Sequence, residues 1–307
     1  MKRVLITGTS GMLGKDIVNV LSKNYDFDVF GFDKVANSSI EAKRQILGDL
    51  TDFYFLKDIL CEIKPEIIVH CAAIVNVDVC ELNKGVADTI HYGVTNILSS
   101  FNPISTKFIY ISTDSVFDGI KGNYSESDSP NPLNYYAKSK LAGEQVGMRN
   151  NSNSIIIRTN IYGFNYMPGK SLVEWALNSL SKNQPITGFT DVRFNPLYTK
   201  QLAMVIYKLI ELNNFNGIIN IAANEQISKY DFLILLAKTF NLPLNLIRSG
   251  SVSSVQFLAP RPQNTSLNVQ LMRKNFGLEF YFWEGMKELK DDYEKYFEVT
   301  YEKNQNR

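Results

Sequence analysis

Cysteine, histidine and tryptophan are scarce, at three, two and two in a chain of 307 residues. The thiols, Cys61, Cys71 and Cys80, are odd in number and show no Cys-x-x-Cys spacing. That excludes a disulfide-stapled fold and reads as reduced thiols in a cytoplasmic protein. His70 and His91 stand far apart in sequence, so a His/Cys zinc centre, or any metal site, is not expected. Surplus charge is missing too. A formal net charge of +1 leaves no basic field, and no nucleic-acid partner is expected. No apolar run approaches the ~20 residues that cross a bilayer, so no membrane partner is expected either. The opening VLITG passes at once into a glycine loop, unlike a secretory leader.

Hydrophobic residues are plentiful, at 45%, against 21% charged, which suits a globular chain of one large domain or two joined ones. Residues 3–7, RVLIT, read as an apolar strand. GTSGMLG follows, with Gly8, Gly11 and Gly14, and KDIVNVLSKN continues with helical spacing. A glycine loop between strand and helix lets backbone approach a pyrophosphate, and the helix N-terminus offers free N–H groups. The next strand, DVFGFD, ends at Asp33, an acid placed to accept from adenosine ribose hydroxyls and to repel a 2′-phosphate. NAD(H) is therefore favoured, while Lys34 beside it leaves NADP(H) open. ILGDL (46–50) places Asp49 and Leu50 to reach the adenine. TDFYFLKDILCEIK is a helix stopped by Pro65. EIIVHCAAIVNVD is a strand entering a loop, where Ala72 and Ala73 are small enough for backbone to approach a cofactor. Residues 82–101 are helical. This alternation predicts an α/β fold with a Rossmann-type doubly wound parallel sheet.

The stretch from Phe108 to Glu144 carries the chemistry. FIYISTD is a buried strand ending in Ser112, Thr113 and Asp114, and YYAKSKLAGE is a helix on which Tyr136 and Lys140, four apart, share a face. A tyrosine hydroxyl titrates near ~10, and an ammonium one turn away favours the phenolate. Bringing it to about 7 takes roughly 4 kcal/mol. Thr113 could hydrogen-bond a reacting carbonyl oxygen while Tyr136 exchanges its proton.

The second half predicts a smaller C-terminal lobe. The expected division is residues 1–160 for the dinucleotide and 161–307 mainly for the substrate, with strand 217–223 returning to the main sheet. RTNIYGFNYM puts Asn160 and Tyr162 near the cleft, and SLVEWALNSLSK is a helix whose Trp175 reads as packing. Thr199 starts a further helix, and Ser228 caps another. Arg261, in APRPQNTSL, has the planar fork that suits a diphosphate. A charged helix follows Lys287.

GTSGMLG, ISTD before a loop, and Tyr136 with Lys140 resemble the extended short-chain dehydrogenase/reductases. ISTDSVFDG, YSESDSPNPLNYYAKSKLAGE, IIIRTNIYG and APRPQNTSLN are similar to the dTDP-4-dehydrorhamnose reductases, from Val4 to about Phe280. The resemblance implies NAD(P)H-dependent reduction of a nucleotide-linked 4-keto-6-deoxy sugar in polysaccharide precursor synthesis. A homodimer is a candidate assembly. It implies Thr113, Tyr136 and Lys140 as the catalytic set and Asp114 as a sugar contact. Gly11, Met12, Leu13, Asp49, Leu50 and Ala72 to Ile74 would line the cofactor, with Tyr136 and Lys140 at its nicotinamide end and Lys140 holding the nicotinamide ribose. Ser115 and Ile161 stand where the family often has aromatic rings. His91 stands where many extended enzymes have an asparagine; it could replace that asparagine or be a satisfied helix histidine. Two alternatives remain: a nucleotide-sugar epimerase or dehydratase with bound NAD, and a non-catalytic regulatory subunit of the same fold.

Overall fold

The computed structural model describes residues 1–305 except 103, 167, 168, 170 and 213. Seven parallel strands form its main sheet: β1 (Lys2–Thr7), β2 (Phe27–Asp33), β3 (Gln45–Leu47), β4 (Ile67–His70), β5 (Lys107–Ile111), β6 (Ser154–Arg158) and β7 (Gly217–Asn220). Their spatial order is β7-β6-β5-β4-β1-β2-β3, so the winding reverses beside β1. That reversal opens a crevice at the carboxyl ends of the strands, where open α/β sheets bind ligands.

Apolar residues cover both faces, as parallel strands require. Val4 and Ile6 of β1 face one core, with Ile17 and Val18 of α1 (Met12–Leu21), Leu202, Val205 and Ile206 of α8 (Thr199–Leu212) and Met272 of α10 (Gln270–Phe276). Leu5 faces the other, with Leu56 and Leu60 of α2 (Phe53–Ile63) and Leu98 of α5 (Thr95–Ser100). Between α2 and α5 the chain forms α3 (Val77–Leu82), α4 (Lys84–Asp88) and a π-helical turn, Thr89–Val94.

Helix α6 (Tyr135–Asn150) lies on this second face, through glycines rather than large apolar side chains. A Cβ at Gly143 would stand 2.3 Å from the Tyr110 hydroxyl and 2.5 Å from the His91 carbonyl oxygen. The helix is held by ions as well. Glu144 takes Arg158, at the end of β6, on both carboxylate oxygens, with Nη2 to Oε2 at 2.7 Å, and Ser112 Oγ donates to Oε1 at 2.5 Å. Both charged side chains are 2% exposed.

A third apolar cluster gathers α7 (Leu172–Ser181), α9 (Lys229–Thr239) and α11 (Phe282–Gln305) around Phe194 and Phe232. Residues after 160 thus divide between two cores, with α8, β7 and α10 on the main sheet. The returning strand is Gly217–Asn220, shorter than 217–223, because the Ala223 N–H turns away to the Asn195 carbonyl. Among the described residues, no helix is long and apolar enough to cross a membrane.

Removing one member of a buried ion pair leaves the other charge uncompensated, at a cost of about 3–5 kcal/mol. Glu144→Leu should therefore lower stability by roughly that amount in urea unfolding, and the double variant Glu144→Leu/Arg158→Met should recover most of the loss. Additive losses in the double variant would show that the pair does not act as a unit.

Candidate functional site

Two adjoining cavities open at the carboxyl ends of the strands. The first, of about 700 Å³, is bordered by Gly8, Gly11, Met12, Leu13, Gly14, Asp33, Asp49, Leu50, Ala72, Ala73, Ile74, Thr113, Tyr136, Lys140 and Asn160. The second, of about 310 Å³, is bordered by Asp114, Arg261, Lys229 and Trp175 among others. Ser115 and Asn160 border both, so the cavities meet beside Thr113.

The glycine loop fits a dinucleotide. Gly8 has φ +76°, and a Cβ there would stand 2.8 Å from the Ala72 nitrogen; at Gly14 it would stand 2.0 Å from the Gly8 oxygen. No side chain caps the N-terminus of α1 at Gly11, which leaves its first N–H groups for a ligand's phosphates.

The adenosine end differs from the sequence-based picture. Asp33 accepts from Ser10 through both the backbone N–H and the hydroxyl, at 2.7 and 2.8 Å, and from the backbone N–H groups of Lys34 and Val35. Its lone pairs are thus largely occupied in bracing the glycine loop, which weakens the case for ribose recognition by this side chain. Lys34 pairs with Asp49 at 2.7 Å, and its hydrogen bond holds the Asp49 carboxyl down to about 2.

At the junction, Tyr136 and Lys140 share a face of α6, but the lysine does not depress the phenol. The protein packed around Tyr136 pushes its hydroxyl up to about 12, and a hydrogen bond with Thr113 only partly offsets this. Lys140 turns elsewhere: Nζ donates to the Ile111 carbonyl at 2.6 Å and sits 4.0 Å from the Tyr110 ring centroid. Burial brings this ammonium down to about 7, so it supplies little fixed charge. His91, in the π-helical turn, is buried beside Tyr136 and satisfied at both ring nitrogens, by the Ile74 N–H and by Ser139.

In the second cavity, Asp114 is buried and accepts from Thr265 at 2.5 Å and Asn160 at 2.9 Å, with Thr113 and Ser115 on its other oxygen. Burial raises its pKa. Arg261 donates from Nη2 to Asp78 at 2.9 Å, while Nη1 is buried with no partner among the described residues.

Two aromatic assignments exchange places. Tyr162, expected near the cleft, is buried against Phe232 in the third cluster; Trp175, expected as packing, is 41% exposed and borders the second cavity. Trp175 follows the capping box of Ser171 and Glu174 at the start of α7, a local signal that fixes which residues point outward. The sequence reading also missed Lys229. Its ammonium lies 3.4 Å from the Phe194 ring centroid in the second cavity, and burial brings it down to about 8. The only sequence signal was its place immediately after the cap Ser228.

This fold and this paired cavity define a Rossmann-type protein of the extended short-chain dehydrogenase/reductase kind. The chain belongs to the RmlD substrate binding domain family, which it matches over residues 1–295. It is 32% identical over 297 residues to methionine adenosyltransferase 2 subunit beta of Mus musculus, covering 94% of this chain and 86% of that one. It is 29% identical over 297 residues to dTDP-4-dehydrorhamnose reductase of Aggregatibacter actinomycetemcomitans, covering 92% and 96%. The dTDP-4-dehydrorhamnose reductase of Bacillus anthracis str. Ames, solved in complex with NADP, has TM-score 0.83 and 29% identity, covering 94% of this chain and 99% of that one.

Lys140 gives the site a pH signature. Its ordinary pKa is 10.5 and its folded value is about 7, so between these the unfolded chain holds a proton that the folded protein has released. Stability from this group therefore rises with pH across that window, and below it the full penalty of a buried ammonium applies. Lys140→Met should raise the unfolding midpoint of the protein without added nucleotide more at pH 6 than at pH 9. An equal or reversed difference would mean that the ammonium is well solvated.

Proposed function

We propose that the protein is an NAD(P)H-dependent reductase of a nucleotide-linked 4-keto-6-deoxy sugar, with Thr113, Tyr136 and Lys140 as its catalytic residues. The observation that carries this reading is their convergence where the two cavities meet. Gly8 to Gly14, with Asp49, Leu50 and Ala72 to Ile74, would hold a nicotinamide dinucleotide in the first cavity, and that group would supply the hydride.

Thr113 donates to the C4 carbonyl oxygen and polarises it. Tyr136 gives that oxygen its proton and completes the carbinol. A phenol held at about 12 is protonated at neutral pH, the form that a reduction needs at the outset. Lys140, one turn along the same face of α6, would hold the nicotinamide ribose. Asn160 and Asp114 form a polar wall at the sugar. Arg261 and Lys229 offer cations to the diphosphate, and Trp175 offers a ring. The repulsion between Asp33 and a 2′-phosphate still leans toward NADH, while its engagement with Ser10 and the closeness of Lys34 keep the discrimination small.

A second reading is a regulatory subunit, favoured by the 32% identity to methionine adenosyltransferase 2 subunit beta. A panel of nucleotide 4-keto sugars with NADH and NADPH, read at the nicotinamide absorbance, separates the two. Net oxidation of the nucleotide supports the reductase. No turnover on any sugar, together with a stable hetero-complex in a pull-down, supports the subunit.

Tyr136→Phe should cut turnover by roughly 10²–10⁴-fold while still binding nucleotide, because only the acid is removed. Retained wild-type turnover would take Tyr136 out of the mechanism. Arg261→Ala should raise the substrate KM about ten- to a hundredfold, since each charge-assisted bond contributes roughly 1.5–3 kcal/mol. Its NADH affinity should hardly change, and Arg261→Lys should rescue only in part. Lost NADH affinity instead would place Arg261 on the other cavity.

A further inference from the structure

His91 is a buried titratable side chain that touches both Ile74, on the wall of the first cavity, and helix α6. It is carried by the π-helical turn Thr89–Val94 between α4 and α5, and such turns concentrate at functional sites. Thr95 Oγ1 donates to the His91 carbonyl at 2.7 Å, and Gly143 of α6 has no Cβ to hold that carbonyl away. The ring therefore lies between α6 and the loop after β4.

Its hydrogen bonds fix its tautomer. The Ile74 backbone N–H donates to Nε2 at 3.1 Å, so Nε2 carries no hydrogen. Nδ1 then carries it and donates to Ser139 Oγ at 2.7 Å. The Ser139 hydroxyl in turn donates to the Tyr136 backbone carbonyl at 3.0 Å. The ring also meets the Tyr136 ring edge-on, with centroids 5.8 Å apart and planes at 81°. Burial pushes the imidazole down to about 2, so it stays neutral at every working pH. A ring with both nitrogens committed and no accessible charged form is a poor proton relay and a good strut.

We infer that His91 is a positioning residue that locks the Ile74 loop, a wall of the first cavity, to Ser139 and Tyr136, so that dinucleotide binding and alignment of the catalytic tyrosine depend on one neutral imidazole. The inference rests on the proposed use of that cavity for a dinucleotide. Loss of the Nε2 acceptor would leave the Ile74 N–H without its partner and let the loop relax away from the cavity.

The two ring nitrogens can be tested separately. His91→Gln places an amide oxygen near the position of Nε2 and keeps an acceptor for Ile74. His91→Asn reaches only as far as Nδ1, keeping the link to Ser139 and losing that to Ile74. NADH affinity, read by nucleotide fluorescence, should weaken about tenfold or more in His91→Asn and in His91→Leu, and stay within about threefold of wild type in His91→Gln. Unfolding midpoints of the nucleotide-free variants show whether each is folded. Wild-type NADH affinity in folded His91→Asn, or equal loss in His91→Gln, overturns the strut. So does a shifted pH profile of turnover in His91→Gln with intact affinity, which would make His91 a proton carrier. If the wild-type protein binds neither NADH nor NADPH, the reading of the cavity fails and this inference fails with it; unchanged affinity across the variants removes this inference alone.

Discussion

The ion pair between Glu144 and Arg158 is the constraint on which the site's geometry depends. Arg158 ends β6 and leads into Thr159 and Asn160, which border the cleft. Glu144 lies one turn beyond Lys140 on α6. Ser112, which donates to Glu144, directly follows β5 and immediately precedes Thr113 and Asp114. One buried carboxylate thus registers three segments, and each delivers a polar side chain to the junction of the cavities. A hydrophobic replacement of the pair could match its stability, but it would remove the hydrogen bonds by which one carboxylate ties α6 to both Arg158 and Ser112.

The same arrangement explains why the tyrosine and the lysine behave differently from a simple ion-pair picture. Two groups on one helical face share an environment, and here that environment is dry. Drying opposes the charged form of both, raising the phenol and lowering the ammonium. Their opposite shifts bring a protonated phenol and an ammonium that releases its proton near neutrality onto consecutive turns of one helix.

What the sequence revealed was local. The glycine loop, the strand-helix alternation and the Tyr136–Lys140 spacing are patterns within a few residues, and they map onto the first cavity. What it concealed was long-range. Thr265 reaches Asp114 across 151 residues, Arg261 reaches Asp78 across 183, and His91 reaches Ser139 across 48. No periodicity encodes such pairings. Asp33 shows the same limit at shorter range: it borders the first cavity as its place at a strand end suggested, but its bracing of Ser10 was not legible in the sequence. The exchange of Tyr162 and Trp175 has a similar cause, because which side of a short element faces solvent depends on a core built from α9 and α11, far downstream.

The chain's repeated crossing between cores has a consequence for how it is made. During synthesis β6 emerges with its outer edge unpaired, and its partner β7 follows only some sixty residues later. Until α8 and α10 arrive, the face formed by Val4, Ile6, Ile155 and Ile157 is also incompletely covered. An exposed strand edge beside an uncovered apolar face is a template for association with other chains. The first half is therefore not a self-sufficient module that could be cut out and expressed alone. Its strand edge and apolar face are covered only by β7, α8 and α10, so the nascent protein's period of greatest exposure lasts until α10 has been made.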